Sequence, residues 1–202
     1  MQVLITGFTP FDGRPVNGSW LAAQSLAAVP EVQTLEIPVV WGAPLPALKL
    51  ACRQFEPQII ISLGEGHPGE FTIETLARNQ RAPRPDNLGE LPAEALISAL
   101  GPATHHASID AAALQARLRS NQPLPVRLST DAGAFLCEET LYTLESLKAA
   151  QANLQTVVFV HLPPFGTTLQ VDGADLLCDA ELLSGFARQL LAAVLAQAAD
   201  SS

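Results

Sequence analysis

Short apolar runs alternate along this chain with longer segments in which apolar residues recur every three or four positions. Continuous apolar runs are typical of strands that are covered on both faces, and the longer periodic pattern is typical of amphipathic helices. The runs predict strands at residues 3–6, 32–40, 58–63, 71–76, 126–128 and 157–160. The periodic segments predict helices that begin near Ser19, Pro44, Asp110 and Cys137, and a last helix over residues 178–197.

The alternation of strands and helices predicts the fold class. Strands that are joined by helices form a mostly parallel sheet with helices packed on its faces. We therefore expect an α/β fold, a three-layer α/β/α sandwich with a mostly parallel central sheet, built as a single domain over residues 1–202. In such sheets the ligand lies beyond the carboxyl ends of the strands, so the functional residues are expected there.

Composition narrows the class of protein. Hydrophobic residues make up 48% of the 202 residues and charged residues only 15%, which argues against a disordered chain. The net charge of −9 argues against a nucleic-acid partner, because nucleic acid needs a basic surface. No apolar run reaches the length of a membrane span, and the first residues lack the basic region and cleavage site of a targeting signal. We therefore predict a soluble, cytoplasmic protein that has no membrane partner.

The three cysteines are odd in number and widely spaced. This spacing fits neither a disulfide framework nor a zinc knuckle, and a reducing compartment suits it best. Cys52 lies on the apolar stripe of a predicted helix, which indicates a core position. Cys178 opens the predicted last helix, where a buried thiol and a subunit contact are both open interpretations.

Cys137 follows a small-residue turn and stands at the start of a helical pattern. The unpaired N–H groups and the positive end of a helix dipole favour a thiolate at such a position, and the same N–H groups bind an oxyanion. The alternative is a buried structural thiol, because free cysteine is among the most buried residue types. This stretch by itself leaves a nucleophile and a structural thiol equally favoured.

Two further features are expected at the same edge of the sheet as Cys137, because each follows a predicted strand. A glycine-rich turn over residues 64–69 follows the strand at 58–63, and His161 ends the strand at 157–160. The turn is not a dinucleotide-binding motif, because Pro68 interrupts it and no helical pattern follows. The convergence favours Cys137 as a nucleophile.

A cysteine hydrolase needs a thiolate, a base that also protonates the leaving amine, and a group that orients the base. Cys137 and His161 fit the first two roles. Glu74 is the best third candidate, as a lone carboxylate in an otherwise apolar strand, although an exposed strand position is a common alternative. The remaining histidines lie in a turn or in a polar segment and are weaker candidates: His67, His105 and His106. Histidine and cysteine are not at metal-ligand spacing, so we expect no metal.

Several short motifs, in one order along nearly the whole chain, resemble the pyroglutamyl peptidase I (pyrrolidone-carboxylate peptidase) family of cysteine peptidases. The motifs are TGF at 6–8, PFDG at 10–13, NGSW at 17–20, TIE at 72–74, PDN at 85–87, GPA at 101–103, DAG at 131–133 with Cys137, and VH at 160–161.

The resemblance implies removal of an N-terminal pyroglutamyl residue from peptides through an acyl-enzyme. It implies Cys137 as the nucleophile, His161 as the acid–base and Glu74 as the orienting carboxylate. It also implies a pocket for the five-membered lactam ring, with these residues at the substrate: Phe8, Phe11, Asn17, Gly64, Glu65, Phe135 and Leu136. The implied partners are a peptide with a blocked N-terminus and other copies of the chain, in a homotetramer or a homodimer. The family needs neither metal nor cofactor.

Three positions depart from the pattern that the resemblance implies. Glu65 stands where the family usually has the glutamine of GQAGG, and Glu138 follows the cysteine where asparagine is common. The family also usually carries ARIPDN where residues 82–87 read APRPDN. The family's arginine therefore aligns with Pro83, and Arg81 and Arg84 are the two residues that could replace this arginine.

These departures keep two alternatives open. One is a thiol hydrolase of the same fold whose N-terminal specificity is changed by Glu65 and Pro83. The other is a non-catalytic relative that binds a small ligand. If Glu65 faces the lactam ring, a charged carboxylate would repel the ring carbonyl, and Glu65→Gln is then expected to raise catalytic efficiency.

Overall fold

Two layers of helices enclose a central sheet in the computed structural model, which describes residues 1–121 and 123–200. In this part of the chain the strands are β1 (Val3–Phe8), β2 (Val32–Ile37), β3 (Ile59–Glu65), β4 (Phe71–Glu74), β5 (Leu76–Arg78), β6 (Thr104–His106), β7 (Val126–Ser129), β8 (Thr156–Leu162), β9 (Thr168–Val171) and β10 (Ala174–Leu177). The helices are α1 (Gly18–Gln24), α2 (Pro44–Phe55), α3 (Ala111–Asn121), α4 (Leu136–Ala150) and α5 (Ala180–Asp200).

The predicted fold class is confirmed: six strands form a mostly parallel sheet in the order β2-β1-β3-β8-β4-β7. Strands β2, β1, β3 and β8 are mutually parallel, with Gly64 of β3 beside His161 of β8. Strand β4 pairs antiparallel with β8, so that Thr72 lies opposite His161, and β7 runs parallel to β4. The last two strands therefore point the opposite way from the other four.

This reversal corrects the expectation that the carboxyl end of β7 carries Cys137 to the same edge as β3 and β8. Ser129, the last residue of β7, lies beside Glu74 of β4 rather than at that edge. The loop of residues 130–135 then leads from there into α4. Cys137 reaches the site through this loop and the first turn of α4.

Alternate residues of the central strands point to opposite faces of the sheet, as the pleat requires. On one face Ile5 and Ile61 pack with the apolar sides of α1, α3 and α5. On the other face Leu4 and Ile60 pack with α2 and α4, and this second cluster contains Cys52, as predicted. Both faces are buried, which explains why the strands read as continuous apolar runs rather than as alternating ones.

The start of α1 differs from its prediction in a way that affects the site. The sequence placed the start of this helix at Ser19, but the helix begins at Gly18 and its cap is Asn17, whose Oδ1 accepts the backbone N–H of Ser19 at 3.0 Å. The hydroxyl of Ser19 also donates to Oδ1, and the amide Nδ2 of Asn17 donates to the carbonyl of Thr9. Serine and asparagine are both good N-cap residues, so the sequence alone did not separate them.

Helix α5 begins at Ala180, two residues after the predicted start, and is 21 residues long. By length and mean hydropathy it is the one helix in the described residues that could cross a membrane. Glu181 and Arg188 interrupt it, so it is not the continuous apolar run that the sequence analysis considered. Its apolar residues pack in the protein core, where Phe186 stacks on Phe71 at a centroid separation of 3.9 Å. A core helix of this length gives the same signal.

A small hairpin was missed in the sequence. Strands β9 and β10 pair antiparallel around Asp172 and Gly173, which have φ of 50° and 81°. Two consecutive residues with positive φ are typical of a two-residue hairpin turn, and an aspartate followed by glycine is a recognised signal for one. The signal was therefore present in the sequence.

Gly7 provides a test of the close approach between β1 and α1. A Cβ atom on Gly7 would lie 2.5 Å from the carbonyl oxygen of Ser19 and 2.7 Å from the Cα of Trp20, both backbone atoms that move only with the helix. We expect Gly7→Ala to lower the free energy of unfolding by about 1–3 kcal/mol, as overpacking does.

Gly185 of α5 supplies the matched control, since a Cβ there meets no atom of the described residues within 4 Å apart from its own stretch of helix backbone. Gly185→Ala is expected to stabilise the protein by about 0.5–1 kcal/mol, because alanine favours a helix interior. Chemical denaturation of the two variants measures both changes. Equal stabilities for the two variants would contradict the close approach of Gly7 to the backbone of α1.

Candidate active site

A cavity of about 690 Å³ opens at the end of the sheet where β1, β3 and β8 finish. Residues at or next to the ends of these strands line it, and α4 contributes its first turn. Most of the residues singled out in the sequence lie on its surface: Phe8, Phe11, Asn17, Glu65, Glu74, Phe135, Leu136, Cys137 and His161. Of the weaker histidine candidates, His67 also lines the cavity.

Gly64 lies directly behind the thiol rather than on the cavity surface. A Cβ atom at this position would lie 2.9 Å from Cys137 Sγ and 3.1 Å from His161 Cδ2. The thiol and the imidazole therefore pack together against the bare backbone of β3. Any side chain at position 64 would push them apart, so glycine is required here by space.

His161 and Glu74 form a buried hydrogen-bonded pair. Nδ1 of His161 lies 2.8 Å from Oε1 of Glu74, and the Glu74 residue is only 1% exposed. Glu74 is thus not the ordinary exposed strand residue that the sequence left as an alternative. Its Oε1 also accepts the hydroxyl of Thr72 at 2.8 Å. Because Nδ1 is engaged by the carboxylate, the other ring nitrogen of His161 is left for Cys137.

The electrostatics of His161 favour its charged form. Burial alone would lower the pKa of this histidine, but the charge of Cys137, hydrogen bonds from the ring to Cys137 and Glu74, and the charge of Glu74 together raise it to about 10. The imidazolium is therefore held between a sulfur and a carboxylate. Such an arrangement stabilises a thiolate–imidazolium pair, which is the reactive form of a cysteine nucleophile.

The start of α4 leaves its N–H groups free for a ligand. Phe135, whose side chain has no hydrogen-bond acceptor, occupies the N-cap, and Cys137 is the second residue of the helix. The first N–H groups of an α-helix have no partner within the helix and carry the positive end of its dipole. Beside the sulfur of Cys137 these groups are placed to hold an oxyanion.

The turn before α4 has an unusual backbone. Gly133 and Ala134 both have positive φ, 85° and 52°, and the second is uncommon for a residue with a Cβ. Ala134 is held by a hydrogen bond from the N–H of Ala82 to its carbonyl at 2.7 Å, and Gly133 donates to Oδ1 of Asp131. These contacts support the conformation that delivers Cys137.

Aromatic side chains form the apolar walls of the cavity. Phe8 is the last residue of β1, rather than a loop residue as its sequence context suggested, and is almost fully buried. Phe11 lies on the following loop, and Phe135 comes from the start of α4. The ring of Trp41 meets that of Phe135 edge-on at 5.0 Å.

The structure distinguishes the two arginines that the sequence left open. Arg81 makes a two-point ion pair with the buried Glu139, at 2.9 and 3.0 Å. Arg84 lines the cavity instead, with its guanidinium 4.3 Å from the ring centroid of Phe135. The sequence left Arg81 and Arg84 undecided, because only the folded loop brings Arg84 to Phe135.

Glu65 and Asn17 line the cavity, but the groups that they offer are already engaged within the protein. The Glu65 carboxylate accepts the N–H of Gly18 at 2.6 Å and of Phe165 at 3.4 Å, and it forms an ion pair with Arg14 at 2.6 Å. Asn17 is used as the helix cap described above. The structure therefore changes the expectation that a charged Glu65 would face and repel the lactam carbonyl.

Glu138, the third departure, is fully buried beside the thiol residue. Its carboxylate accepts the N–H of Arg78 at 2.6 Å, so it ties α4 to β5. Burial, partly offset by the N–H groups of Arg78 and Ala134 and by the charge of Arg78, raises the pKa of this carboxyl group.

The other cysteines and histidines differ from Cys137 and His161 in their surroundings. Cys52 and Cys178 are buried thiols; burial raises the pKa of Cys52, and burial with the charges of Glu65 and Asp179 raises that of Cys178 to about 12. Cys178 precedes α5 rather than opening it, and its Sγ donates to the carbonyl of Pro163. His105 bonds Ser146 on α4, away from the cavity.

The described residues contain no group of three or more histidine, cysteine, aspartate or glutamate side chains that could hold a metal ion.

A family model and two relatives of known description indicate one family. The family model for pyroglutamyl peptidase matches residues 1–182. A pyrrolidone-carboxylate peptidase of Gloeobacter violaceus is 36% identical over 169 residues, which cover 81% of this chain and 82% of the relative. One from Streptomyces coelicolor is 37% identical over 169 residues, covering 80% and 77%.

Solved structures agree with the sequence comparison. Pyroglutamyl peptidase I of Bacillus amyloliquefaciens superposes with a TM-score of 0.82 at 27% identity, covering 98% of this chain and 97% of that one. A mutant pyrrolidone carboxyl peptidase of Pyrococcus furiosus, at 23% identity, shares the fold with a TM-score of 0.83 and covers 96% and 98%. The chain therefore belongs to the pyroglutamyl peptidase family and is a cysteine exopeptidase.

Proposed function

We propose that this protein removes N-terminal pyroglutamyl residues from peptides through an acyl-enzyme formed on Cys137. The observation that carries the proposal is the Cys137–His161–Glu74 arrangement, which lies in one cavity at the N-terminus of α4. The three side chains match the needs of a cysteine hydrolase: a thiolate, an acid–base beside it and a carboxylate that orients the base.

The first half of the reaction forms the acyl-enzyme. Cys137 Sγ attacks the carbonyl carbon between the lactam ring and the next residue, and the carbonyl oxygen gains a negative charge that the first N–H groups of α4 stabilise. The carbon–nitrogen bond then breaks as His161 donates its proton to the leaving amine. Glu74 stabilises the imidazolium and holds the ring in place throughout this step.

The second half releases the pyroglutamate. His161, now neutral, takes a proton from a water molecule that attacks the thioester carbon. The bond from carbon to Cys137 Sγ breaks, the product leaves as a free acid, and the thiolate–imidazolium pair is restored. A reduced thiol is needed in every cycle, so we infer a reducing, cytoplasmic location.

The cavity suits a small ring without charge. Phe8, Phe11 and Phe135 supply apolar walls for the methylene groups of a lactam. The lactam ring carries one N–H donor and one carbonyl acceptor. A free N-terminal amine does not offer this combination of groups. We therefore infer a peptide with a blocked N-terminus as the substrate. We also propose that the protein works as a homodimer or homotetramer.

A substrate panel tests the proposed function directly. Pyroglutamyl, prolyl, glutamyl and leucyl amides of a fluorogenic amine are compared before and after thiol alkylation. We expect hydrolysis of the pyroglutamyl amide alone, and its loss after alkylation. Preference for another amide would indicate changed specificity, and no alkylation-sensitive hydrolysis would indicate a ligand-binding relative.

The nucleophile is tested by selective alkylation. Because burial raises the pKa of Cys52 and of Cys178, their thiolate fractions at neutral pH are small, whereas Cys137 lies beside an imidazolium. We expect substoichiometric iodoacetamide to label Cys137 first, as peptide mapping reports. Cys137→Ala should abolish hydrolysis and keep a cooperative thermal transition, with Cys52→Ala as the matched control that retains activity. Faster labelling of either buried cysteine would contradict the assignment of Cys137 as the nucleophile.

Glu74 is tested by charge removal without change of shape. We expect Glu74→Gln to lower kcat by on the order of a hundred- to ten-thousand-fold, the range associated with acid–base catalysis, with a smaller effect on KM.

The pH dependence separates this role from a purely structural one. Glu74 helps to raise the pKa of His161, so its replacement lowers that pKa and the imidazolium loses its proton at a lower pH. The ratio of variant to parent kcat should therefore fall as the pH rises above neutral. A ratio that stays constant with pH would show that Glu74 does not act through the charge of His161.

A further inference from the structure

The wall residue Phe11 lies on a turn that brings Arg14 to its ring. Asp12 and Gly13 have φ of 54° and 70°, and the N–H of Arg14 donates to the carbonyl of Phe11 at 3.1 Å. This is the four-residue turn with two left-handed central residues. It brings the first and fourth residues together, and the guanidinium carbon of Arg14 lies 4.2 Å from the ring centroid of Phe11.

Arg14 is in turn anchored by a buried carboxylate. Its Nη1 lies 2.6 Å from Oε2 of Glu65, whose side chain is only 1% exposed. The contact is electrostatic rather than a well-aligned hydrogen bond, because Oε2 has no hydrogen-bond partner within residues 1–121 and 123–200. The attraction depends on the charges of both groups, so a neutral amide would not replace it.

The other carboxylate oxygen of Glu65 connects this anchor to the rigid part of the fold. Oε1 accepts the N–H of Gly18, the first residue of α1, and the N–H of Phe165 in the loop after β8. Glu65 itself ends β3, between β1 and β8 in the sheet. The carboxylate is thus fixed by three segments, and through Arg14 it fixes a fourth, the turn that carries Phe11.

We propose that Glu65 and Arg14 are positioning residues for substrate specificity: the charge of Glu65 fixes Arg14, and Arg14 holds the ring of Phe11 as one wall of the lactam pocket. The proposal rests on the function proposed above and adds two residues to it. It also gives a physical role to the glutamate that replaces the family's usual glutamine, since glutamine would keep an acceptor for Gly18 but lose the attraction to Arg14.

A second arginine lies near the same wall. The guanidinium of Arg84 lies 5.9 Å from the Phe11 centroid, 4.3 Å from that of Phe135, and 2.6 Å from Asp12 Oδ2. Arg84 is tied to the surface by its exposed partner, whereas Arg14 is tied to the interior by Glu65. We therefore assign the larger share of the positioning to Arg14.

The proposal predicts changes in KM rather than in kcat. Neither residue contacts Cys137 or His161 in the described hydrogen bonds and ion pairs, so the chemical step should be nearly unaffected. We expect Glu65→Gln and Arg14→Met each to raise KM for the pyroglutamyl amide by roughly two- to thirty-fold, which corresponds to the loss of a cation–π contact. This reverses the gain in efficiency that the sequence alone predicted for Glu65→Gln.

Coupling between the two residues is the critical measurement. If Glu65 acts on the pocket through Arg14, the double variant should have a KM no higher than that of the worse single variant. Independent roles would multiply the two increases instead. Arg117→Met is the matched control, because it removes an arginine from an exposed ion pair with Asp200 and should leave KM unchanged.

A second readout avoids turnover altogether. The bare lactam 2-pyrrolidone should protect Cys137 from iodoacetamide, and its protection constant should weaken in Glu65→Gln and Arg14→Met by the same factor as KM. Arg14 is partly exposed, so its variant is expected to fold even if the buried substitution does not, which thermal denaturation checks.

The outcomes separate this proposal from the proposed function. If the unsubstituted protein fails to hydrolyse the pyroglutamyl amide, the proposed function is contradicted. Protection of Cys137 by 2-pyrrolidone still tests the role of the Phe11 wall in that case. Unchanged KM and unchanged protection in both single variants would overturn the positioning role, as would a parent thiol that 2-pyrrolidone does not protect. A fall in kcat at constant KM would overturn it too, because it would place the pair in the chemical step.

Discussion

The structure depends on keeping a charged imidazole inside the protein. His161 is only 7% exposed, and burial by itself favours the neutral ring. Two groups reverse that preference, the sulfur of Cys137 on one side and the carboxylate of Glu74 on the other. Each must be in contact with the ring, because an unpaired buried charge is strongly unfavourable. The requirement therefore links three separate elements, β4, β8 and α4.

The reversed direction of β4 is what meets the requirement. The antiparallel pairing of β4 with β8 places Thr72 opposite His161. Glu74 follows two residues later on the same strand. The hydroxyl of Thr72 and the imidazole of His161 both contact Oε1 of Glu74, which is thereby fixed. On the other side of the ring, the missing side chain of Gly64 leaves space for the thiol. The geometry is therefore set by strand pairing and by one glycine.

Buried carboxylates organise the loops around the cavity in several places. Glu65 holds the starts of α1 and of the loop after β8, and Glu138 holds β5 against α4. Glu139 joins Arg81 to the N–H of Gly42 before α2. Loop backbones leave N–H groups that the sheet does not satisfy, and a carboxylate accepts two or more of them at once. Glu65 also forms an ion pair with Arg14 beside the proposed substrate pocket. We propose that this ion pair is the contribution of Glu65 to specificity.

The sequence by itself determined the layers of the fold and the two residues that we propose as the reactive groups. Continuous apolar runs such as residues 58–63 reveal a sheet covered on both faces, since both sets of alternate residues must be buried. A cysteine at a helix start and a histidine at a strand end are local features, so Cys137 and His161 were visible without coordinates. Tertiary structure decided what depends on partners that are distant in the chain. The direction of β4 and β7, the burial of Glu74, the place of Arg84 at Phe135 and the pairing of Glu65 with Arg14 all join residues far apart in sequence. Local periodicity records which face of an element is buried, but a charge and its partner are brought together only when the chain folds.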